Sequence, residues 1–189
     1  MGLAGWIALG VAALLVLWAV AVYNRLVRLR ALAREGFSGI TVQLRRRADL
    51  VPNLVSTVEG YATHERSTLS EVIAHRTDTT TARGVAETAQ ADNVFSQMLG
   101  RLMAVAEDYP DLKADENFRQ LQTELAEIEE ELQGARRYYN ATVRDLNTRI
   151  QSIPDMLIAR PTGFAEEPFY ADADASIQTA PVVKFGAKG

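Results

Sequence analysis

The chain has 189 residues, no Cys and a formal net charge of −4, from 20 basic and 24 acidic side chains. The absence of Cys excludes a disulfide framework, a thiolate metal site and a cysteine nucleophile, and it agrees with a reducing compartment. The near-balanced total hides an uneven distribution: Arg25 to Arg47 holds seven basic residues and one acid, whereas Glu107 to Glu131 holds ten acids beside Lys113 and Arg119.

The first element is an apolar run of twenty residues, Leu3 to Val22, with neither charge nor Pro. At about 1.5 Å per residue it covers roughly 30 Å, the thickness of a bilayer's hydrocarbon core. Only Met1-Gly2 precedes it. The run is longer than the core of a cleaved signal peptide and lacks its basic leader, so a retained anchor is expected over residues 1–22. Arg25, Arg28, Arg30 and Arg34 follow it against the single acid Glu35. Such a basic flank marks the cytoplasmic side, which places the N-terminus outside and residues 23–189 in the cytoplasm of a bacterial inner membrane. Trp6, Trp18 and Tyr23 sit near the ends of the run, where amphipathic rings prefer the headgroup level. Ala4, Ala8 and Ala12 form a small-residue ridge.

Beyond the membrane, Leu26, Arg30, Ala33, Phe37, Ile40, Leu44 and Arg47 continue one helical stripe to about residue 48. Gly36 and Gly39 weaken this stem by about 1 kcal/mol each and mark where it would bend. Pro52 suggests a second helix opening near Asp49, with a kinked continuous helix as the alternative. That second helix is carried by Val51, Leu54, Val55, Val58, Leu69, Val72 and Ile73, and ends in a Thr-rich connection, Thr77 to Ala82. A third helix covers about Gly84 to Asp108. Asp115, with Phe118 three residues on, opens a fourth, whose seam runs from Phe118 through Leu132 and Tyr139 to Ile150 at steps of three or four. A seam of that length fits coiled-coil-like packing in an antiparallel bundle. The expected fold is all-α: an N-terminal transmembrane helix continuing into a four-helix bundle over residues 23–154, then an extended tail over 155–189. That tail ends in an apolar tip whose Val182, Val183 and Phe185 are candidates to dock on the bundle or pair with a second subunit.

The stretch Gln43-Leu44-Arg45-Arg46-Arg47-Ala48-Asp49-Leu50-Val51-Pro52-Asn53-Leu54-Val55, with Tyr61 and His64-Glu65, resembles the most recognisable motif of the LemA family. So do the run Leu102 to Phe118, the set Tyr138-Tyr139-Asn140 with Val143 and Asn147, and the tip Pro181-Val182-Val183-Lys184-Phe185. The resemblance implies a bacterial single-pass membrane protein with an outside N-terminus and a cytoplasmic antiparallel bundle; it implies no reaction. Gly36-Phe37-Ser38-Gly39 departs from the family's helix-friendly Ala-Trp-Ser-Gln type of sequence, which puts the continuity of the stem in question.

Sites for chemistry are sparse. His64 and His75 stand about 16 Å apart along a helix, too far to share a metal. No phosphate-cradling loop, nucleophile elbow or calcium loop is present. No catalytic residue, cofactor, metal or small-molecule substrate is therefore expected. Charge is the better lead. In an up-down bundle, Arg45, Arg46 and Arg47 meet Glu124, Glu127, Glu129, Glu130 and Glu131 at the membrane-distal end, within a chain or between neighbours. Arg25, Arg28, Arg30 and Arg34 join Arg136, Arg137, Arg144 and Arg149 in a membrane-proximal collar suited to anionic headgroups. A collar facing the membrane argues against nucleic acid. The expected function is a non-enzymatic, membrane-tethered scaffold built by self-association; the alternative is a monomeric adaptor presenting a helical surface to another membrane protein, such as a quality-control protease.

Overall fold

In a computed structural model that describes residues 2–62 and 65–170, the chain is all-α. Helix α1 spans Leu3–Glu59, α2 Arg66–Thr81, α3 Gly84–Glu107, α4 Pro110–Ala114, α5 Glu116–Gln151 and α6 Met156–Ala159. Among the described residues one helix, α1, is long and apolar enough to cross a membrane, and its apolar window lies almost wholly exposed outside the bundle.

The helix is unbroken from that window to Glu59, so the expected second helix is divided: Val51, Leu54, Val55 and Val58 belong to α1, and α2 begins only at Arg66. Pro52 lies inside α1. Its ring nitrogen has no hydrogen to give the carbonyl four residues back, that of Ala48. The freed carbonyl accepts Arg76 Nε at 2.7 Å instead, and Arg76 Nη2 reaches Asp49 Oδ1 at 3.3 Å. The missing donor thus becomes the point at which α2 is fastened to α1. The Thr-rich stretch is helical too, contrary to its expected role as a connection. Thr79, Thr80 and Thr81 each return a hydroxyl to a carbonyl three or four residues back, at 2.8 to 3.0 Å, which spares their side chains from competing with the helix.

Gly36 and Gly39 do not interrupt the stem. A Cβ on Gly36 would stand 3.1 Å from Tyr139 Cα, so this glycine lets the backbones of α1 and α5 approach closely. The two helices run antiparallel from the distal cluster down to Val22 and Ile150. Asp115 caps α5 as expected, accepting the Phe118 N–H at 3.0 Å.

Three apolar clusters stack along this pair. The distal one joins α1, α2, α3, α4 and α5 through Val55, Val58, Val72, Phe95, Leu102, Leu112 and Phe118. The middle one holds Ala33, Ile40, Leu44, Leu132, Tyr139 and Tyr170. The basal one holds Val22, Leu26, Leu146, Ile150, Ala159 and Phe164. The antiparallel four-helix arrangement is thus confined to the distal half. Nearer the candidate span, the segment after α5 turns back and takes the place that α2 and α3 leave open, so packing continues past residue 154.

Candidate functional site

The centre of the bundle is a buried polar hub. Asp92, on the inner face of α3, is wholly inaccessible. Its Oδ1 accepts Arg47 Nη2 and its Oδ2 accepts Arg136 Nη2. The Tyr170 hydroxyl donates to the same Oδ2 at 2.6 Å. Arg47 Nη1 also donates to Ser96 Oγ at 3.1 Å and to Glu129 Oε2 at 3.0 Å. Its guanidinium lies 5.1 Å from the Phe95 ring centre, and that of Arg136 lies 5.5 Å from the Tyr170 ring centre. Among the described residues two guanidiniums face two carboxylates, the pairing that a buried ionic group requires. Burial and the Asp92 charge hold the Tyr170 hydroxyl protonated far above its ordinary range, although the two guanidiniums pull the other way.

Tyr170 reaches the hub because the preceding segment is clamped to α5. The Asn147 side chain donates to the Glu167 carbonyl at 2.8 Å and accepts the Glu167 N–H at 2.9 Å. Asn140 does the same for Tyr170, at 3.0 and 2.8 Å. The two registers match: seven residues of helix advance about 10.5 Å and three of extended chain about 10 Å. Each amide stands in for the edge of a neighbouring strand. Between them the Tyr139 hydroxyl donates to the Pro168 carbonyl at 2.7 Å, and burial, with Glu167 nearby, pushes that phenol up to about 12.

Beside the hub, α3 and α5 form an open groove of about 410 Å³, with Arg47 and Glu129 at one end and Leu99, Met103, Leu125 and Ala126 along its walls. At the base, Arg25 and Arg149 line a second groove of about 340 Å³ with Asp145, Thr148 and Ser152.

The residues expected to form charge blocks divide between surface and interior. Arg46 pairs with Glu131 at 2.6 Å within the chain, both half-exposed. Arg45, Glu127 and Glu130 are exposed, and Glu124 accepts Gln120 Nε2 at 2.9 Å. Arg47 is not a surface charge at all. The set stands at mid-height rather than at the distal end, because α1 continues through Pro52 for twelve residues beyond Arg47. The expected collar also divides. Arg25 and Arg149 line one groove at the base, Arg28, Arg34 and Arg144 are exposed, and Arg30 lies 4.1 Å over the Phe164 ring. Arg136 turns inward to Asp92, at the level of the Gly39–Ala135 contact, and exposed Arg137 follows it. Gly39 is 17 residues past Val22, about 25 Å up the helix, so both lie away from the candidate span. Val182, Val183 and Phe185 lie outside the described residues, as does His64. His75 Nδ1 lies 2.9 Å from Asp78 Oδ2 on α2.

Asp92 is not among the residues that the sequence singles out, and Arg47, expected in a charge block at the distal end, pairs with Glu129 from a buried position. A signal existed: Arg30 and Arg47 fall on the apolar stripe of α1, and a cation there needs a buried partner or an aromatic face.

Fold and site together define an all-α bundle whose central helix carries a candidate membrane span at its N-terminal end. The chain belongs to the LemA family, whose model matches residues 36–185. It is 27% identical over 179 residues to magnetosome protein MamQ 2 of Paramagnetospirillum magneticum, covering 81% of this chain and 66% of the relative. Magnetosome protein MamQ of Magnetospirillum gryphiswaldense is 26% identical over the same shares. Protein LemA of Metamycoplasma hominis is 32% identical over 111 residues, 56% of this chain and 48% of that protein. The chain thus spans about two thirds of the length of its MamQ relatives.

Proposed function

We propose that this protein is a non-enzymatic, membrane-tethered scaffold: a single-pass anchor with its N-terminus outside and a cytoplasmic helical bundle that self-associates. The observation that carries the reading is α1 itself. One helix of 57 residues is both the apolar span and the central packing element of the bundle, so position and orientation at the membrane are transmitted to the distal tip without a joint. Self-association is supported by the charges that the bundle leaves on its surface. Arg34 and Arg45 on α1, and Glu127 and Glu130 on α5, are exposed, with no ion pair to another described residue. Opposite patches of this kind suit contacts between copies. The basic side chains near the base suit anionic headgroups, and the tip carrying Val182, Val183 and Phe185 would add an apolar contact.

A second reading, the monomeric adaptor for another membrane protein, is favoured by the groove between α3 and α5, where Leu99, Met103 and Leu125 line an open apolar wall. Light scattering of the full-length chain in mild detergent separates the two. The scaffold requires a discrete protein mass at a multiple of 20.8 kDa after the detergent is subtracted. A monomer at all concentrations leaves the adaptor.

A further inference from the structure

The end of the bundle nearest the anchor exposes apolar side chains that the fold does not use. Ile153 is 76% exposed and Leu157 is 60% exposed. Both belong to the corner where α5 ends and α6 begins. The register of α1 against α5 fixes the height of that corner. Gly36 faces Tyr139, and α5 ends twelve residues later at Gln151, so its end is level with residue 24 of α1. The corner therefore lies beside the last turn of the apolar run, and α6 packs there with Trp18, Val22 and Leu26.

The polar groups of α6 are satisfied internally. The backbone N–H groups from Met156 to Arg160 are all bonded within the corner, at 2.8 to 3.2 Å. The Ser152 and Thr162 hydroxyls each donate to a carbonyl four residues back, at 2.6 Å. Its one acid, Asp155, is buried and accepts Arg149 Nη1 at 3.1 Å. Apolar surroundings demand such internal satisfaction, and a surface facing water does not. Arg25, Arg28 and Arg160 are exposed around the corner, with Asp145 and Glu166 as exposed acids, a basic excess that suits an anionic headgroup layer.

We propose that the α5–α6 corner is a second membrane contact, seating Ile153 and Leu157 in the apolar boundary of the leaflet that receives the C-terminal end of the span. The proposal rests on the reading of α1 as a membrane anchor. A second contact fixes the tilt and rotation of the bundle, which one helix alone leaves open.

The chain has no Cys, so single cysteines report without background. Full-length variants Ile153→Cys, Leu157→Cys, Leu14→Cys and Val42→Cys, labelled with an environment-sensitive fluorophore, are reconstituted in phosphatidylcholine–phosphatidylglycerol vesicles. Quenching by lipids spin-labelled on the upper acyl chain is compared with quenching by lipids labelled on the headgroup. Leu14 is in the span, and Val42 stands 20 residues past Val22, about 30 Å along the helix. The corner positions should be quenched at least twofold, more strongly by the acyl-chain label, while Val42 stays unquenched. If Leu14 is quenched and the corner behaves like Val42, or responds mainly to the headgroup label, the corner is not inserted. If Leu14 itself is unquenched, the anchor reading fails and takes the inference with it.

Discussion

The Tyr170 hydroxyl meets Asp92 Oδ2 at 2.6 Å, tying the end of the returning segment to the middle of α3 across 78 positions of sequence. The same carboxylate holds Arg47 of α1 and Arg136 of α5, so four parts of the chain converge on one buried acid.

Replacing Asp92 by Ala takes from two buried guanidiniums the carboxylate that both of them bind. Breaking a buried pair in this way costs about 3–5 kcal/mol. Asp92→Ala should therefore lower the urea midpoint of the detergent-solubilised protein steeply, followed by circular dichroism. Tyr170→Phe removes one hydrogen bond to a charged group and should cost about 1.5–3 kcal/mol. A near-neutral Asp92→Ala would mean that the hub is solvated.

The two stem glycines should respond in opposite senses. On Gly36 a Cβ meets Tyr139 Cα at 3.1 Å and Tyr138 Cδ1 at 3.2 Å, and backbone cannot step aside as a flexible side chain can. Gly36→Ala should destabilise by about 1–3 kcal/mol through overpacking, despite its better helix propensity. On Gly39 the nearest neighbour is Ala135 Cβ at 3.9 Å, an ordinary contact, so Gly39→Ala should stabilise by up to about 1 kcal/mol. Denaturation midpoints of the two variants check the contrast.

Pro52 and Arg76 should be energetically coupled. Arg76→Ala strands the Ala48 carbonyl only while residue 52 lacks an N–H. In a Pro52→Ala background the helix supplies that donor itself, and the loss of Arg76 should matter less. A double-mutant cycle is expected to give a coupling of about 0.5–3 kcal/mol, and additivity would refute the substitution of one donor for the other.

Tyr139 makes stability depend on alkaline pH. Its pKa rises from 10.0 to about 12 on folding, first through burial and then through Glu167. A raised pKa favours the protonated form in the fold, so the contribution is complete below about pH 10 and is lost as pH rises towards 12. Urea midpoints should be flat to pH 10 and fall beyond it, less steeply in Tyr139→Phe. The Tyr170 hydroxyl, raised further by burial beside Asp92, adds to the same decline.

The helices were legible in the sequence because their apolar residues recur at steps of three and four, most clearly from Phe118 to Ile150. Pro52 misled because its local cost as a helix breaker is readable, whereas the compensating donor, Arg76, lies 28 residues from Ala48 and is found only once α2 is packed. The stem glycines misled for a related reason: propensity describes an isolated helix, and Gly36 serves contact with a second one. Asn140 and Asn147 belonged to a recognisable motif, but their pairing with the backbone of an extended segment has no periodic signature. The hub was half visible, in Arg47 on an apolar stripe. Its position also changes the mutagenesis that charge blocks suggest: reversing Arg45 and Arg46 probes the surface, whereas reversing Arg47 would set a carboxylate against Asp92 and disrupt the core.

Helix α1 has no joint between span and bundle. Spin labels at exposed positions 14 and 56 bracket the glycines, 42 residues apart, and an unbroken helix separates their backbones by about 63 Å. Pulsed dipolar spectroscopy on doubly labelled full-length protein in vesicles, diluted with unlabelled chains, should give one narrow distribution near that distance. A broad distribution, or one centred well below it, would mean that the stem bends at Gly36–Gly39 and that the span does not hold the bundle in place.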